Sequence, residues 1–278
     1  MKKTMLLSSI PVFLLAATSG FANGTVFDGF YFGGSAGGAF VTAEPKISVS
    51  DVYTNRDQGG PFNTVLNAND VLKKNAFKGG IFAGYGKSWD VWYLGMEAFV
   101  NYENFTESDT FNSNGSTEFS EPNPSSAMFY NTTVYTNTTI DPFQVGVDVR
   151  PGFLLTPTTL LYMRFGSAFS TIKMNTETTF YGASVKSNPE SFATTLTDSQ
   201  SKSVMALRAG AGLEQHLTNQ WSIRADYVFT YYGKLSTDGF TPVKALPSGN
   251  TYQLSSSTSG NKVMDNAVLL SISYALHC

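Results

Sequence analysis

The stretch "AFKGGIFAGYGKSWDVWYLGMEAFVNY", residues 76–102, alternates apolar with small or polar residues, breaks at "KSWD" and then alternates again. Successive strand side chains point to opposite faces, so the pattern predicts a β-hairpin. One face collects Lys78 and Glu97 among glycines; the other collects Phe77, Ile81, Tyr85, Leu94 and Met96. The fold depends on which face meets water. An apolar face turned inward makes a soluble sandwich or barrel, and one turned outward needs lipid.

The same alternation recurs in eight runs: Phe30–Phe40, Phe77–Gly86, Trp92–Tyr102, Phe143–Phe153, Leu161–Phe169, Met205–Gln215, Trp221–Tyr231 and Ala267–Leu276. Most have the length a tilted strand needs to cross a bilayer, about 9–11 residues. The connections are lopsided. After the second, fourth and sixth runs they are short: "KSWDV", "LLTPTTL" and "HLTNQ". After the first, third, fifth and seventh they are long and rich in Ser, Thr, Asn and Gly, as in residues 113–139. Regular alternation of long loops and short turns is the habit of a transmembrane β-barrel. Eight is an even number, so both chain ends fall on the short-turn side. The expected fold is all-β: an eight-stranded antiparallel up-and-down transmembrane barrel with four long extracellular loops and three short periplasmic turns.

Composition agrees. Only 14% of the 278 residues are charged, against about 25% in ordinary soluble domains. Aromatics reach 14%, and there are 25 glycines. Lys2 and Lys3 precede the apolar run "MLLSSIPVFLLAA" and the small-residue stretch "TSGFANG". This reads as a secretion signal over residues 1–22, cut after Ala22, with the barrel domain over residues 23–278. Pro11 and the serines leave the run short of the ~20 apolar residues of a membrane anchor. Loss of two lysines from 18 basic against 21 acidic residues brings the formal charge to about −5, which argues against a nucleic-acid partner. The one cysteine, Cys278, allows no internal disulfide.

Reading each run by parity gathers the charges on one face. Five bases, Lys78, Arg150, Arg164, Arg208 and Arg224, share it with four acids, Glu97, Asp148, Glu214 and Asp226, and with most strand glycines. Small residues there make room for long side chains in a narrow interior, whereas a solvated exterior demands none. Aromatics of the apolar face cluster at the strand ends. Phe40, Phe77, Tyr102, Phe143, Phe169 and Tyr231 fall at the long-loop end; Trp92 and Trp221 fall at the other, with Trp89 in the turn. Two such girdles mark two membrane interfaces. A closed barrel is also the β structure that satisfies its backbone in hydrocarbon. Phe82, Phe99, Val228 and Leu269 depart from the pattern and are expected to point inward.

"GFYFGGSAGGAF", "YLGMEAFVNY", "SIRADYVFTY" and the closing "LLSISYAL" resemble the small eight-stranded bacterial outer-membrane β-barrel family, the porin-like and surface-antigen group related to the OmpA transmembrane domain. The resemblance spans the chain after the signal. It implies an inward Glu97 paired with Lys78, Arg150, Arg164 or Arg208. It also implies that the assembly machinery reads the last strand, where Leu270, Ile272, Tyr274 and Leu276 alternate before a final "HC".

Catalytic and cofactor signals are weak. His216 and His277 both sit at the short-turn end, away from any cysteine or carboxylate cluster of metal spacing. The same placement argues against likeness to a lipid A deacylase, whose Ser–His pair works at the outer leaflet. "GGSAGG" (residues 33–38) lacks the lysine and helix of a phosphate loop. Asn131 and Asn137 match glycosylation acceptors, but lie in an Asn/Thr-rich loop. No enzyme, metal or cofactor is expected. The inward charges are expected to plug the lumen rather than line a pore, because eight strands enclose just enough space for side chains. The function expected is surface interaction, as adhesin or surface antigen, through the long loops and a host or surface ligand. A narrow porin is the alternative.

Overall fold

The computed structural model describes residues 25–54, 61–69, 71–118, 127–185, 191–218, 220–240, 244–245 and 251–276. The expected secretion signal over residues 1–22 and its expected cut after Ala22, together with His277 and Cys278, lie outside the described residues.

The described residues form twelve strands: β1 (Gly29–Thr54), β2 (Pro61–Asn69), β3 (Leu72–Trp89), β4 (Trp92–Glu103), β5 (Phe105–Glu118), β6 (Ala127–Ile140), β7 (Phe143–Thr156), β8 (Thr159–Val185), β9 (Ser191–His216), β10 (Trp221–Phe240), β11 (Lys244–Ala245) and β12 (Thr251–Leu276). Eight of them close a ring in the order β1, β3, β4, β7, β8, β9, β10, β12, every neighbour antiparallel. The closing seam starts at Phe30 opposite Leu276 and runs to Thr54 opposite Thr251. The expected eight-stranded barrel is the observed one. Short turns join β3 to β4, β7 to β8 and β9 to β10. In the first, Asp90 takes φ 56°, a left-handed conformation that the short Asp side chain tolerates.

Strand β4 shows which face meets which medium. Tyr93, Gly95, Glu97, Phe99, Asn101 and Glu103 are buried, and every residue between them is exposed. Around the ring the apolar set points outward: Leu270 is 68% exposed and Ile81 67%, while Arg150 is 0%. An apolar surface of this extent is not sustained in water. The opening hairpin therefore puts its oily side on the outside, and its charged side in the interior. Among the described residues, no helix is long and apolar enough to cross a membrane.

The long connections differ from expectation. They are not open loops over the described residues, because the ring strands continue beyond the barrel as sheet. β1 pairs with β2, β5 with β6, and β6 with the outer half of β8. The cause is a second alternation inside the Thr/Asn-rich segments. Val134, Ile140, Ile172, Met174 and Phe180 turn to a buried side, with the β-branched Thr132, Thr136, Thr138, Thr176 and Thr178 between them. The ladder between β9 and β10 ends at Leu207 opposite Tyr231, and that between β3 and β4 at Lys78 opposite Glu103. Beyond those points pairing runs within two groups, β5–β6–β8–β9 and β10–β12–β1, the last joined first by the outer end of β3 as far as Leu72 opposite Ala43 and then by β2.

On the outer face Phe40, Phe77, Tyr102, Phe143, Phe169, Trp89, Trp92 and Trp221 are all exposed. Tyr231 departs from them and is half-buried. Neighbouring rings meet edge to face: Tyr102 with Phe143 at 5.7 Å, Trp92 with Phe153 at 5.7 Å, and Trp221 with Tyr274 at 4.9 Å.

Candidate functional site in the barrel interior

From the short-turn end upward, the interior is layered. The first layer is apolar. Phe27, in the segment just before β1, packs with Val26, Tyr93, Leu154, Leu160 and Tyr162. That segment is tied down by Asp28. Its Oδ2 accepts a hydrogen bond from Lys87 Nζ at 2.7 Å, and its Oδ1 accepts from the Ser88 backbone N–H at 2.8 Å and the Thr25 hydroxyl at 3.0 Å. Partial burial pushes the Asp28 carboxyl up, but the hydrogen bonds from Lys87, Ser88 and Thr25 outweigh it and hold the group below its ordinary value.

Beside this layer lies His216, at the short-turn end as expected, and buried. Its Nδ1 is 3.1 Å from Ser222 Oγ, and Phe27 meets its ring edge-on at 6.2 Å. The reason is parity: His216 follows Glu214 on the inward face of β9.

The second layer is the ion-pair network. Glu97 lies at its centre. Its Oε2 accepts from Arg224 at 2.8 Å and Arg150 at 3.3 Å, and its Oε1 from Arg164 at 3.0 Å. Glu214 receives Arg150 at 2.8 Å and Arg224 at 3.0 Å. Arg164 also stands 3.6 Å from Asp148 and from Asp226, and Arg208 stands 3.6 Å from Asp148. Tyr162 donates to Asp226 at 2.6 Å, and Arg150 donates to the Tyr31 hydroxyl at 2.9 Å. The guanidinium groups lie against aromatic faces: Arg150 is 3.8 Å from the Tyr162 ring centre, Arg208 3.7 Å from Phe99, and Arg224 4.6 Å from Phe82.

Of the partners expected for Glu97, Arg150 and Arg164 are there. Lys78 and Arg208 are elsewhere, and Arg224 takes a place. Lys78 forms a third layer, bonded to Glu103 at 2.8 Å and to Asp265. Gln144 donates to Glu103 at 2.7 Å and to the Tyr232 hydroxyl. Glu103 and Asp265 were missed because the runs were cut at Tyr102 and begun at Ala267. Extending each by parity, one residue forward and two back, reaches them. The buried set, among the described residues, is six acids against five bases. A fourth, apolar layer lies toward the outer end, where Val41, Ala43, Leu72, Phe105, Ile140, Ile172 and Val263 pack together.

The expected inward turn of Phe82, Phe99, Val228 and Leu269 is observed, each being no more than 8% exposed. The inward glycines make room chiefly for rings. A Cβ on Gly84 would stand 2.5 Å from the Tyr31 hydroxyl, one on Gly86 2.3 Å from that of Tyr93, and one on Gly146 2.5 Å from Phe99. Beside the arginines the same holds for Gly210, whose Cβ would meet Arg164 at 3.0 Å. The space left between these side chains is slight: one cavity, bordered by Glu97, Arg164, Arg208 and Asp226, has about 10 Å³, room for at most about one water.

A closed antiparallel ring with an apolar wall and a charged, filled interior is a transmembrane β-barrel. The chain belongs to the family described as outer membrane protein beta-barrel domain, whose model matches residues 8–257. It is a multi-pass barrel of the bacterial outer membrane. Among solved structures, the outer membrane protein OprG from Pseudomonas aeruginosa is 12% identical, with 90% of this chain and 97% of that one covered, at a TM-score of 0.37. The outer membrane protease OmpT from Escherichia coli is 9% identical over 92% and 99%, at 0.35. Ail, the attachment invasion locus protein of Yersinia pestis, is 14% identical over 82% and 98%, at 0.25. No curated protein matches the chain.

Proposed function

We propose that the protein is a non-conducting outer-membrane barrel that acts in surface interaction, as adhesin or surface antigen, through its extracellular β-extension. The observation that carries this reading is the filling of the interior. The ion-paired layers around Glu97 and Lys78 lie between an apolar layer at Phe27, Leu154 and Leu160 and another at Val41, Ile140 and Ile172. Water and ions crossing the barrel would have to enter apolar layers at both ends and open a network whose charges are paired. The network then serves as the core of the barrel, and recognition falls to the parts outside it.

In this reading residues 1–22 are a removable secretion signal and the exposed rings at both ends of the wall are interfacial girdles. The assembly machinery reads the outer face of β12, where Leu270, Ile272 and Leu276 are exposed. The protein is no enzyme in this reading: among the described residues the inward Ser–His contact, Ser222 with His216, is capped by Phe27 and serves packing.

Single-channel recording on refolded protein in planar bilayers tests the proposal. The expected record is free of conductance steps, and whole cells displaying the protein gain binding to a host or abiotic surface that variants of the extension lose. Regular steps whose ion selectivity changes in Arg150→Ala or Arg164→Ala would overturn it in favour of a narrow porin.

A further inference from the structure

The outward side of β8 changes character along its length. Met163, Phe165 and Phe169 are exposed hydrophobics of the lipid-facing wall. The next residues of the same parity are Thr171, Lys173, Asn175, Glu177, Thr179 and Tyr181. From Phe169 to Tyr181 the strand climbs about 40 Å along its axis, at ~3.3 Å per residue. The wall thus continues without a break from the hydrocarbon into the zone beside it, with a different chemistry.

That chemistry repeats across four strands. Thr133, Thr179 and Thr195 stand in one cross-strand row, and Asn137, Asn175 and Ser199 in another. Neighbours are bonded along the rows: Thr179 and Thr195 hydroxyls are 3.3 Å apart, Ser199 donates to Asn175 Oδ1 at 2.6 Å, and Thr133 donates to Asn112 Oδ1 at 2.8 Å. Each amide and hydroxyl keeps further donor or acceptor capacity for a ligand. On this outward stretch of β8 the charges are one Lys173 and one Glu177, and Lys173 lies 4.0 Å from Asp141. Two rings rise from the polar field, Tyr135 at 40% and Tyr181 at 49% exposure, on adjacent strands.

We propose that this face of β5, β6, β8 and β9 is a lateral docking surface for the neutral sugar chains of the lipopolysaccharide that surrounds the barrel. The occupant follows from continuity. A wall that rises out of the outer leaflet meets what rises beside it, and in that leaflet this is the saccharide part of the glycolipid. Tyr rings offer flat amphipathic platforms to the C–H faces of sugar rings, and the rows of Thr, Asn and Ser exchange hydrogen bonds with sugar hydroxyls. Recognition of phosphate would need a cluster of Arg or Lys, and the face of β8 supplies only Lys173, beside Asp141. The proposal stands on the membrane placement and is independent of whether the lumen conducts.

Hydroxyl-radical footprinting tests it in vesicles. The protein is reconstituted in phospholipid alone, in vesicles containing complete lipopolysaccharide, and in vesicles containing lipopolysaccharide stripped of its outer sugars. Oxidation of Tyr135 and Tyr181 is expected to fall about fivefold only with the complete glycolipid, on the scale of a burial that removes most of each ring from water. The lipid-facing Tyr102 reports equal insertion in all three. In detergent micelles, lipid-free oligosaccharide released from lipopolysaccharide by mild acid is expected to bind Y135A/Y181A about tenfold more weakly than the parent, one good aromatic contact's worth. The double variant should keep the heat-dependent gel shift of a closed barrel. Equal oxidation in complete and stripped glycolipid would overturn the proposal. So would protection by host-type neutral glycans added to phospholipid vesicles with none from the glycolipid, which would assign the face to an opposing surface.

Discussion

Gly212 and Gly38 are both strand glycines, yet their surroundings differ. A Cβ at Gly212 would come within 2.5 Å of Asp226 Oδ1 and 2.6 Å of the Tyr162 ring, whereas at Gly38 it would meet nothing within 4 Å. Gly212→Ala is expected to lower stability by about 1–3 kcal/mol, as overpacking does. Gly38→Ala should stay within about 0.5 kcal/mol of the parent. Urea unfolding followed by tryptophan fluorescence reads both. In the same assay Glu97→Ala, which leaves Arg150, Arg164 and Arg224 short of a shared carboxylate, should lose roughly 3–5 kcal/mol. Asp28 gives a pH signature. Its folded carboxyl titrates below the ordinary 3.8, so its contribution is complete above that value and fades as pH falls through the folded value. Stability measured from pH 6 down to about pH 2 should therefore fall further in the parent than in Asp28→Asn. An identical pair of curves would show that Asp28 does not anchor the segment. The alternation made the sides of Gly38, Gly212 and Glu97 legible in the sequence, whereas Asp28 lies before the first run. Of the partners of Glu97, the resemblance pointed to Arg150 and Arg164, but Arg224 was not legible, because it reaches Glu97 across 127 residues and only the register of the closed ring brings them together.

At the scale of the element, the extension is a sheet with a buried side of its own. Val134 is 0% exposed, and Ile140, Ile172 and Phe180 are each 1%. Val134→Asp buries an unpaired carboxylate there. The hairpin β5–β6, which carries Phe111 and Tyr135, should then open to chymotrypsin while the ring, which has separate layers, keeps its gel shift. If the variant stays as protease-resistant as the parent, Val134 does not hold the hairpin. Turn placement and the eight ring strands were legible, since "KSWD" and "LTPT" interrupt strong alternation. The strands' outward continuation was hidden by composition. Runs such as "NTTVYTNTT" carry turn-forming residues, and their period of two is drawn in Thr rather than in Leu or Ile.

At the scale of the molecule, the wall and the interior exchange the roles they have in a water-soluble protein. Unboiled protein in SDS should run apart from boiled protein and resist protease over the ring, since a closed barrel presents no edge to the detergent. Coincident bands before and after heating would contradict the closed ring. The seam between β1 and β12 adds a consequence for how the fold is reached. Phe30 pairs with Leu276 and Gly37 with Leu269, contacts at nearly the greatest sequence separation the chain offers. Until β12 is delivered, β1 has an unsatisfied edge and the barrel is an open, aggregation-prone ribbon. Closure thus requires both ends of the chain, and a chain that lacks β12 is left with two raw edges and nothing of its own to cover them.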